Sequence, residues 1–391
     1  MFAVFHRLCK PFSALLALIA ALALSACQGG PVIGSGPSIN PSSPVPVALL
    51  VPHGSANANE ERLARDLENA AQLAASDLAG VQIDLRVYAT AGNAAKAHEA
   101  AQQAVNDGAR IIIGPLHAQS ASAAAQAAAG RGVSVLAFSN NPTIAGGNLF
   151  ILGQTFQSTA NRLVSFAATQ GRDRILTVYA SNEAGRLGRQ AIQQAITRYA
   201  AIPAGSVSYE FSQKAVIEAV PRIKEAAQQN QANAIFFTAN SAGALPLFTQ
   251  LLPEAGLGQD KAQYIGLARW DTPPQTLELP GVQGGWFALP DPQRSAQFQT
   301  RFEAAYGSAP HALAGLAYDG IAAVGALAST GARDALSREN LIQPAGFQGV
   351  NGVFRLLPDG TNERSLAVAT VQDRKVTVIG PAPVSFEGAG L

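Results

Sequence analysis

The residues whose types suit chemistry sit at the ends of short apolar runs. Ile111-Ile112-Ile113 breaks at Gly114-Pro115 and leads into Leu116 to Ser122, and Val133 to Phe138 breaks at Ser139-Asn140-Asn141-Pro142-Thr143. Such runs, rich in β-branched residues and bounded by turn signals, read as buried parallel strands, with a helix-length Ala/Ser/Gln segment between them. In an open parallel sheet, ligands bind outside the carboxyl ends of the strands. Ser120, Ser139, Asn141 and Thr143 stand at those ends. Their hydroxyl and amide groups, with the N–H groups of a helix start, suit an anionic group. Ser120 and Ser122 equally suit a helix cap, and Thr143 a plain turn. Two later breaks, Ser181-Asn-Glu183-Ala-Gly185 and Ala268-Arg-Trp270-Asp271, put carboxylates and an indole at strand ends. Glu183 or Asp271 would hold a cation, and a Trp beside an Arg/Asp pair is binding-site-like. The plainer alternatives are a solvated Glu183 and a Trp270 packed at a hinge.

The same inventory points away from catalysis. No G-x-S-x-G elbow or P-loop is present, and no G-x-G-x-x-G follows the first strand. His98-Glu99 is followed by Ala-Ala-Gln, so the zinc-protease pattern fails, and lone His117 is a poor catalyst. The only cysteines, Cys9 and Cys27, precede the body, which therefore has no disulfide or thiolate metal site. The net charge of +1 indicates no nucleic-acid surface. The expectation is a non-enzymatic protein with no cofactor, no metal and no nucleic-acid partner.

The elements that must position these residues follow a targeting segment. Arg7 and Lys10 precede an apolar run, Ala14 to Leu24, too short to span a bilayer, which ends Leu24-Ser25-Ala26-Cys27. This resembles a bacterial lipobox, in which a thiolate takes the lipid and the Cys becomes the first mature residue. Residues 1–26 are then a lipoprotein signal peptide and Cys27 the lipidation site. The alternative is an ordinary signal peptide that contains a Cys. Gln28 after the Cys, where an Asp would retain the protein at the inner membrane, leans towards the outer membrane. Residues 27–46, with five prolines and four glycines from Gln28 onward, read as a tether that buries too little surface to fold.

The body alternates strands and helices. Val47 to Val51 is a strand, Asn59 to Leu78 an amphipathic helix with Asn59 as its cap, Val81 to Tyr88 a strand, and Asn93 to Asn106 a helix. The same grammar resumes near Gly153, with strands at Arg174–Ala180, Ser206–Phe211, Ala234–Thr238, Tyr264–Leu267 and Gly285–Leu289. Helices follow at Gln293–Tyr306 and Leu313–Ala328, and the end reads as an antiparallel meander turning at Leu357 to Gly360. Strand spacing of this kind is that of βα units in an α/β fold.

VALLVPHGSANANEERLARDLENAAQLAASDL, IIIGPLHAQSASAA, VSVLAFSNNPTI and Leu316-Ala-Tyr-Asp-Gly320 carry, in that order, a resemblance to the type I periplasmic binding-protein family, in its leucine/isoleucine/valine-binding branch. The resemblance covers about residues 45–391. It implies an α/β bilobal fold: two doubly wound parallel-sheet lobes, a hinge and a central cleft. Lobe 1 would be residues 45–152 plus 290–335, and lobe 2 residues 153–289 plus 336–391. It also implies a ligand carboxylate on Ser and Thr hydroxyls and an ammonium on an acidic residue and a Tyr. Thr143 matches the Thr of the second loop and Asn141 offers its backbone. Ala118 falls where a carboxylate-binding Ser is expected, Ala184 where the Tyr is, and Ala268 where the acidic residue is; Asp271 or Glu183 could substitute. Asp319 reads as a structural helix residue near the hinge.

A second resemblance is to alphaproteobacterial penicillin-binding-protein activator lipoproteins. It is carried by the lipobox, the tether and Gly349-Val-Asn-Gly-Val-Phe-Arg-Leu-Leu-Pro-Asp-Gly360 followed by Arg364-Ser-Leu-Ala-Val-Ala. Two functions follow at nearly equal weight. One is a lipid-anchored periplasmic receptor that binds a small polar, amino-acid-like ligand and hands it to an ABC permease. The other is an adaptor that regulates peptidoglycan synthesis through a penicillin-binding protein.

Overall fold

The structure is a computed structural model and describes residues 37–386. The expected signal segment and Cys27 lie outside those residues. The first sheet holds five parallel strands, β1 (Val45–Val51), β2 (Ile83–Ala89), β3 (Ile111–Ile113), β4 (Ser134–Ala137) and β5 (Leu149–Ile151), in the order β2-β1-β3-β4-β5. Helices α1 (Ala58–Asp77), α2 (Ala94–Asn106) and α3 (Ala118–Ala129) connect them. Strand β1 is apolar throughout because both of its faces are covered. Val47, Leu49 and Val51 pack in one cluster with Ala64 and Leu67 of α1, while Ala48 and Leu50 pack with the alanines of α2 and α3. The cap of α1 is Asn57, whose side chain accepts the Asn59 N–H at 3.0 Å, not Asn59 itself.

The chain then builds a second lobe from α4 (Phe156–Thr169), β6 (Arg174–Ala180), α5 (Glu183–Arg198), β7 (Ile202–Tyr209), α6 (Gln213–Gln229), β8 (Ala234–Phe237), α7 (Leu245–Glu254), β9 (Gln263–Gly266) and β10 (Trp286–Leu289). It returns to the first lobe with α8 (Pro292–Tyr306), α9 (Gly315–Ala328), α10 (Arg338–Leu341), β11 (Phe347–Gly349), β12 (Gly352–Leu356) and β13 (Asn362–Arg364). It ends in the second lobe with β14 (Ala367–Gln372) and β15 (Lys375–Gly380), whose sheet runs β15-β14-β10-β9-β8-β6-β7. Both closing strands are antiparallel to their neighbours.

Two expected boundaries move. Residues 336–364 belong with the first lobe, because Leu336, Leu341, Phe347, Phe354 and Leu356 are buried in the same cluster as β1 and α1. The expected meander is therefore split: β11, β12 and β13 form a sheet of their own, and only β14 and β15 join the second lobe. The expected tether also ends early, since Ile39 is buried in the first-lobe core and its N–H bonds to the Arg333 carbonyl at 2.7 Å.

The chain thus passes between lobes at about residues 152–155, 290–291 and 365–366. A buried ion pair ties the crossings. Arg364 Nη1 lies 2.8 Å from Asp319 Oδ2, with the two side chains 5% and 0% exposed. Arg364 Nε–H also bonds to the Leu152 carbonyl at 2.8 Å, and the Asn362 amide group donates to the carbonyls of Ile151 and Gly153. Asp319 further accepts the Val350 N–H at 2.8 Å. Burial pushes the Asp319 carboxyl up from its ordinary value, while the Arg364 charge and these bonds pull it down. Residues 381–386 run back over the crossing. Ser365 donates its hydroxyl to the Pro383 carbonyl, Arg162 bonds to the carbonyls of Leu366 and Pro381, and the Arg355 guanidinium lies 4.6 Å from the Phe386 ring centroid.

Replacing Asp319 by Ala leaves the Arg364 charge buried without its partner, and breaking a buried pair costs about 3–5 kcal/mol. A lowered urea midpoint is expected. The double change Asp319→Leu with Arg364→Met should recover most of the loss. A midpoint in the single variant equal to that of the parent would show that the pair does not hold the crossing.

Candidate ligand-binding cleft

The loops at the carboxyl ends of β4 and β6 come together across the lobes. Asn141 and Thr143 from the first lobe, and Glu183 from the second, line one lateral hollow of about 740 Å³. The 3₁₀ turn Pro142–Ile144 sets the first wall: Asn141 Oδ1 accepts the Thr143 N–H at 3.0 Å and its hydroxyl at 2.9 Å. The Asn141 amide N–H groups and the remaining lone pairs of the Thr143 oxygen are left for a ligand. Glu183 opens α5 and is exposed, with the helix capped by Asn182. The floor is β13. Asn362 is 3% exposed, its NH₂ is spent on Ile151 and Gly153, and its Oδ1 has no partner among the described residues. A buried acceptor in that condition is costly unless something donates to it. Arg198 at the far end is held by Glu363 at 2.9 Å.

A second, medial hollow of about 520 Å³ lies between the loops after β8 and β9 and the start of α9. Arg269 and Arg364 line it. Asp271 does not: Arg269 Nε and Nη2 clamp its two carboxylate oxygens at 2.8 and 2.5 Å, and its side chain is only 13% exposed. Asp271 is thereby engaged and offers no open carboxylate to an ammonium.

Trp270 requires a correction. Its side chain is fully buried in the second-lobe core, stacked on Phe287, and it lines neither hollow. The slot exists because Gly266 and Gly285 carry no side chain. A Cβ on Gly266 would stand 2.1 Å from the Trp270 Nε1, and one on Gly285 would stand 1.9 Å from Cζ3. With the indole turned inward, its neighbours on either side turn outward and meet each other. Ser120 requires another. It lies on the buried stripe of α3 with Ala121, Ala124, Ala125 and Ala128, is 1% exposed and caps nothing. Ser139 is 7% exposed and braces the turn, its hydroxyl accepting the Asn141 N–H at 3.2 Å.

The residues that the sequence reading did not single out are Asn362 and Arg364 in β13. One signal was available for them: Asp319 is the only charged residue in the otherwise apolar helix α9, and a buried carboxylate needs a cation.

Residues 44–375 match the profile of a family described as periplasmic binding protein. No curated protein matches the chain. Among solved structures it is similar to a putative branched-chain amino acid ABC transporter protein from Rhodospirillum rubrum, with a TM-score of 0.71, 19% identity, and 86% of this chain and 100% of that one covered. It is similar to an ABC transporter substrate-binding protein from Desulfitobacterium hafniense in complex with Leu, with a TM-score of 0.61, 18% identity, and 86% and 100% covered. A solute-binding protein from R. palustris in complex with benzoate gives a TM-score of 0.54, 18% identity, and 88% and 97% covered. At these identities the likeness is one of fold.

The rim of the first lobe carries a titrating group. His53, just past β1, has Nδ1 2.8 Å from Glu61 and Nε2 3.0 Å from Glu68. Burial lowers its pKa, but the bonds and charges of the two carboxylates outweigh burial and hold it above the ordinary 6.5. A raised imidazole pKa stabilises the fold fully below the ordinary value, and that stability is lost as pH rises through the raised one. The Tm of the parent should therefore exceed that of His53→Gln most at pH below 6.5, with the gap narrowing as pH rises further. A gap that widens with pH would contradict the assignment.

Proposed function

The chain belongs to the periplasmic binding protein family, and on that premise we propose that it is a solute receptor whose two lobes close on a small polar, amino-acid-like ligand. The receptor presents this ligand to an ABC-type permease, and an acylated Cys27 holds the mature chain to the membrane, the outer one in preference. One observation carries the reading: the lateral hollow takes walls from both lobes. The Asn141 amide N–H groups suit a ligand carboxylate, joined by the Thr143 hydroxyl when its proton turns from Asn141 Oδ1 to the ligand, while Glu183 suits an ammonium. A ligand that touches both walls has contacts that exist only when the lobes are close, so binding favours the closed arrangement. Solved proteins of this fold carry leucine or benzoate, which supports a ligand of that size.

A thermal-shift screen of the lipid-free mature chain against the common amino acids should give a saturable rise in Tm with at least one of them, since a ligand at a hundred times its Kd adds about 2.7 kcal/mol. For that amino acid, Glu183→Gln should weaken affinity about tenfold or more, equal to about 1.4 kcal/mol. Absence of any shift, together with capture of a penicillin-binding protein on the immobilised chain, would replace the receptor by the adaptor of peptidoglycan synthesis. An affinity untouched by Glu183→Gln would remove Glu183 as the ammonium partner.

A further inference from the structure

We propose that residues 381–386 form a latch across the hinge, a non-covalent fourth link that holds the two lobes at the angle seen here and whose release lets them swing. The latch concerns the hinge and not the hollows. It goes beyond the receptor reading, needs no ligand and can fail without it.

The segment has its foot on one lobe and its head on the other. It leaves β15 at Gly380, which pairs with Val368 in the second-lobe sheet. Ala382 packs against the second-lobe core, and the Pro381 carbonyl accepts an N–H of Arg162 Nη2, from α4, at 3.0 Å. The next two grips are on the first-lobe side. The Pro383 carbonyl accepts the Ser365 hydroxyl, and Ser365 is itself fastened to β12, its N–H bonding to the Val353 carbonyl at 2.8 Å. The Phe386 ring centroid then lies 4.6 Å from the guanidinium of Arg355, also on β12.

Arg355 is a fixed platform for that ring. Its Nε donates to Glu363 Oε2 at 2.8 Å and its Nη1 to the Pro344 carbonyl at 3.3 Å, and both partners belong to the first lobe. The guanidinium therefore cannot follow the ring if the second lobe turns. A planar, weakly hydrated guanidinium is the cation best suited to lie on an aromatic face. Glu363 also reaches Arg198 of α5 at 2.9 Å, but a pair that is 39% exposed on its arginine side adds little by itself.

The strap has little slack. Pro381 and Pro383 lock φ and favour an extended chain of about 3.1 Å per residue, so Pro381 to Phe386 spans about 16 Å. A turn of the second lobe that draws the foot away must break the grip of Pro383 or of Phe386. An arginine–aromatic contact at a half-exposed site is worth about a two- to fivefold population ratio, and a hydrogen bond about two- to tenfold. Together they suffice to decide between two lobe arrangements of similar free energy.

The test is the interlobe distance distribution, measured by pulsed electron spin resonance. The lipid-free mature chain with Cys27→Ser contains no cysteine, so nitroxides on Gln102→Cys of α2 and Gln228→Cys of α6, both exposed, report one lobe against the other. The parent should give one narrow distribution. Ending the chain after Gly380 should populate a second distance, moving the ratio about fivefold or more, and Phe386→Ala should move it about two- to fivefold. Val384→Ser, between the grips at a residue 72% exposed, should leave the parent distribution. Should the shortened chain fail to fold, Phe386→Ala, which removes one ring and no backbone, decides alone. A parent distribution retained in the folded shortened chain or in Phe386→Ala would overturn the latch, even with a lowered Tm, which would mark the segment as core packing only. A parent already spread over both distances would overturn it too, as would an effect of Val384→Ser equal to that of Phe386→Ala.

Discussion

Arg364 and Asp319 place one positive and one negative charge where almost no water reaches, at the point where the chain changes lobes. Taking two ions out of water costs several kcal/mol each, and their attraction repays that only in good geometry with the remaining donors matched. The surroundings are arranged to that end. Helix α9, apolar apart from Asp319, delivers the carboxylate into the first-lobe core, and the Val350 N–H fixes one of its oxygens. The guanidinium then reaches back to the Leu152 carbonyl, at the first crossing. Two crossings far apart in sequence are thereby held as one unit on the first-lobe side. Any swing of the second lobe is left to the few residues beyond them, where backbone torsions absorb such motion.

The same strand borders both hollows, Asn362 lining the lateral one and Arg364 the medial one. The carboxylates near the medial one have been withdrawn, Asp319 into the core and Asp271 into the clamp of Arg269. What reaches the surface of each hollow therefore differs from what a list of nearby charged residues suggests. Electrostatic preference here follows from which groups have already found partners.

The alternation of strands and helices was legible because buried parallel strands are continuous apolar runs and their helices carry a stripe of period 3.6. Arg174–Ala180 coincides with its expected limits. The lobe of residues 336–364 was not legible. Strands β11 and β13 are three residues long, and so short a run carries no period and no sign of the sheet it joins. Ile39 is a lone apolar residue in a Pro/Gly-rich segment, and its docking depends on a hole that only the folded lobe provides. In the cleft, loop positions were readable and side-chain directions were not. Ser120 sits on a buried stripe of alanines, too small to stand out as a core pattern. Trp270 turns inward because two glycines, Gly266 before it and Gly285 just before the next strand, leave it a slot. Asp319 was the exception, a solitary charge in an apolar helix that signalled a buried partner without naming it.

The docking of Ile39 decides how mechanical load enters the molecule. The chain arrives from its amino-terminal side and is first gripped by the core of the first lobe, before β1 begins. Tension on that end is delivered to the first lobe alone, so no pulling force acts across the crossings. In the proposed receptor, a tether at that end therefore does no work when the lobes close.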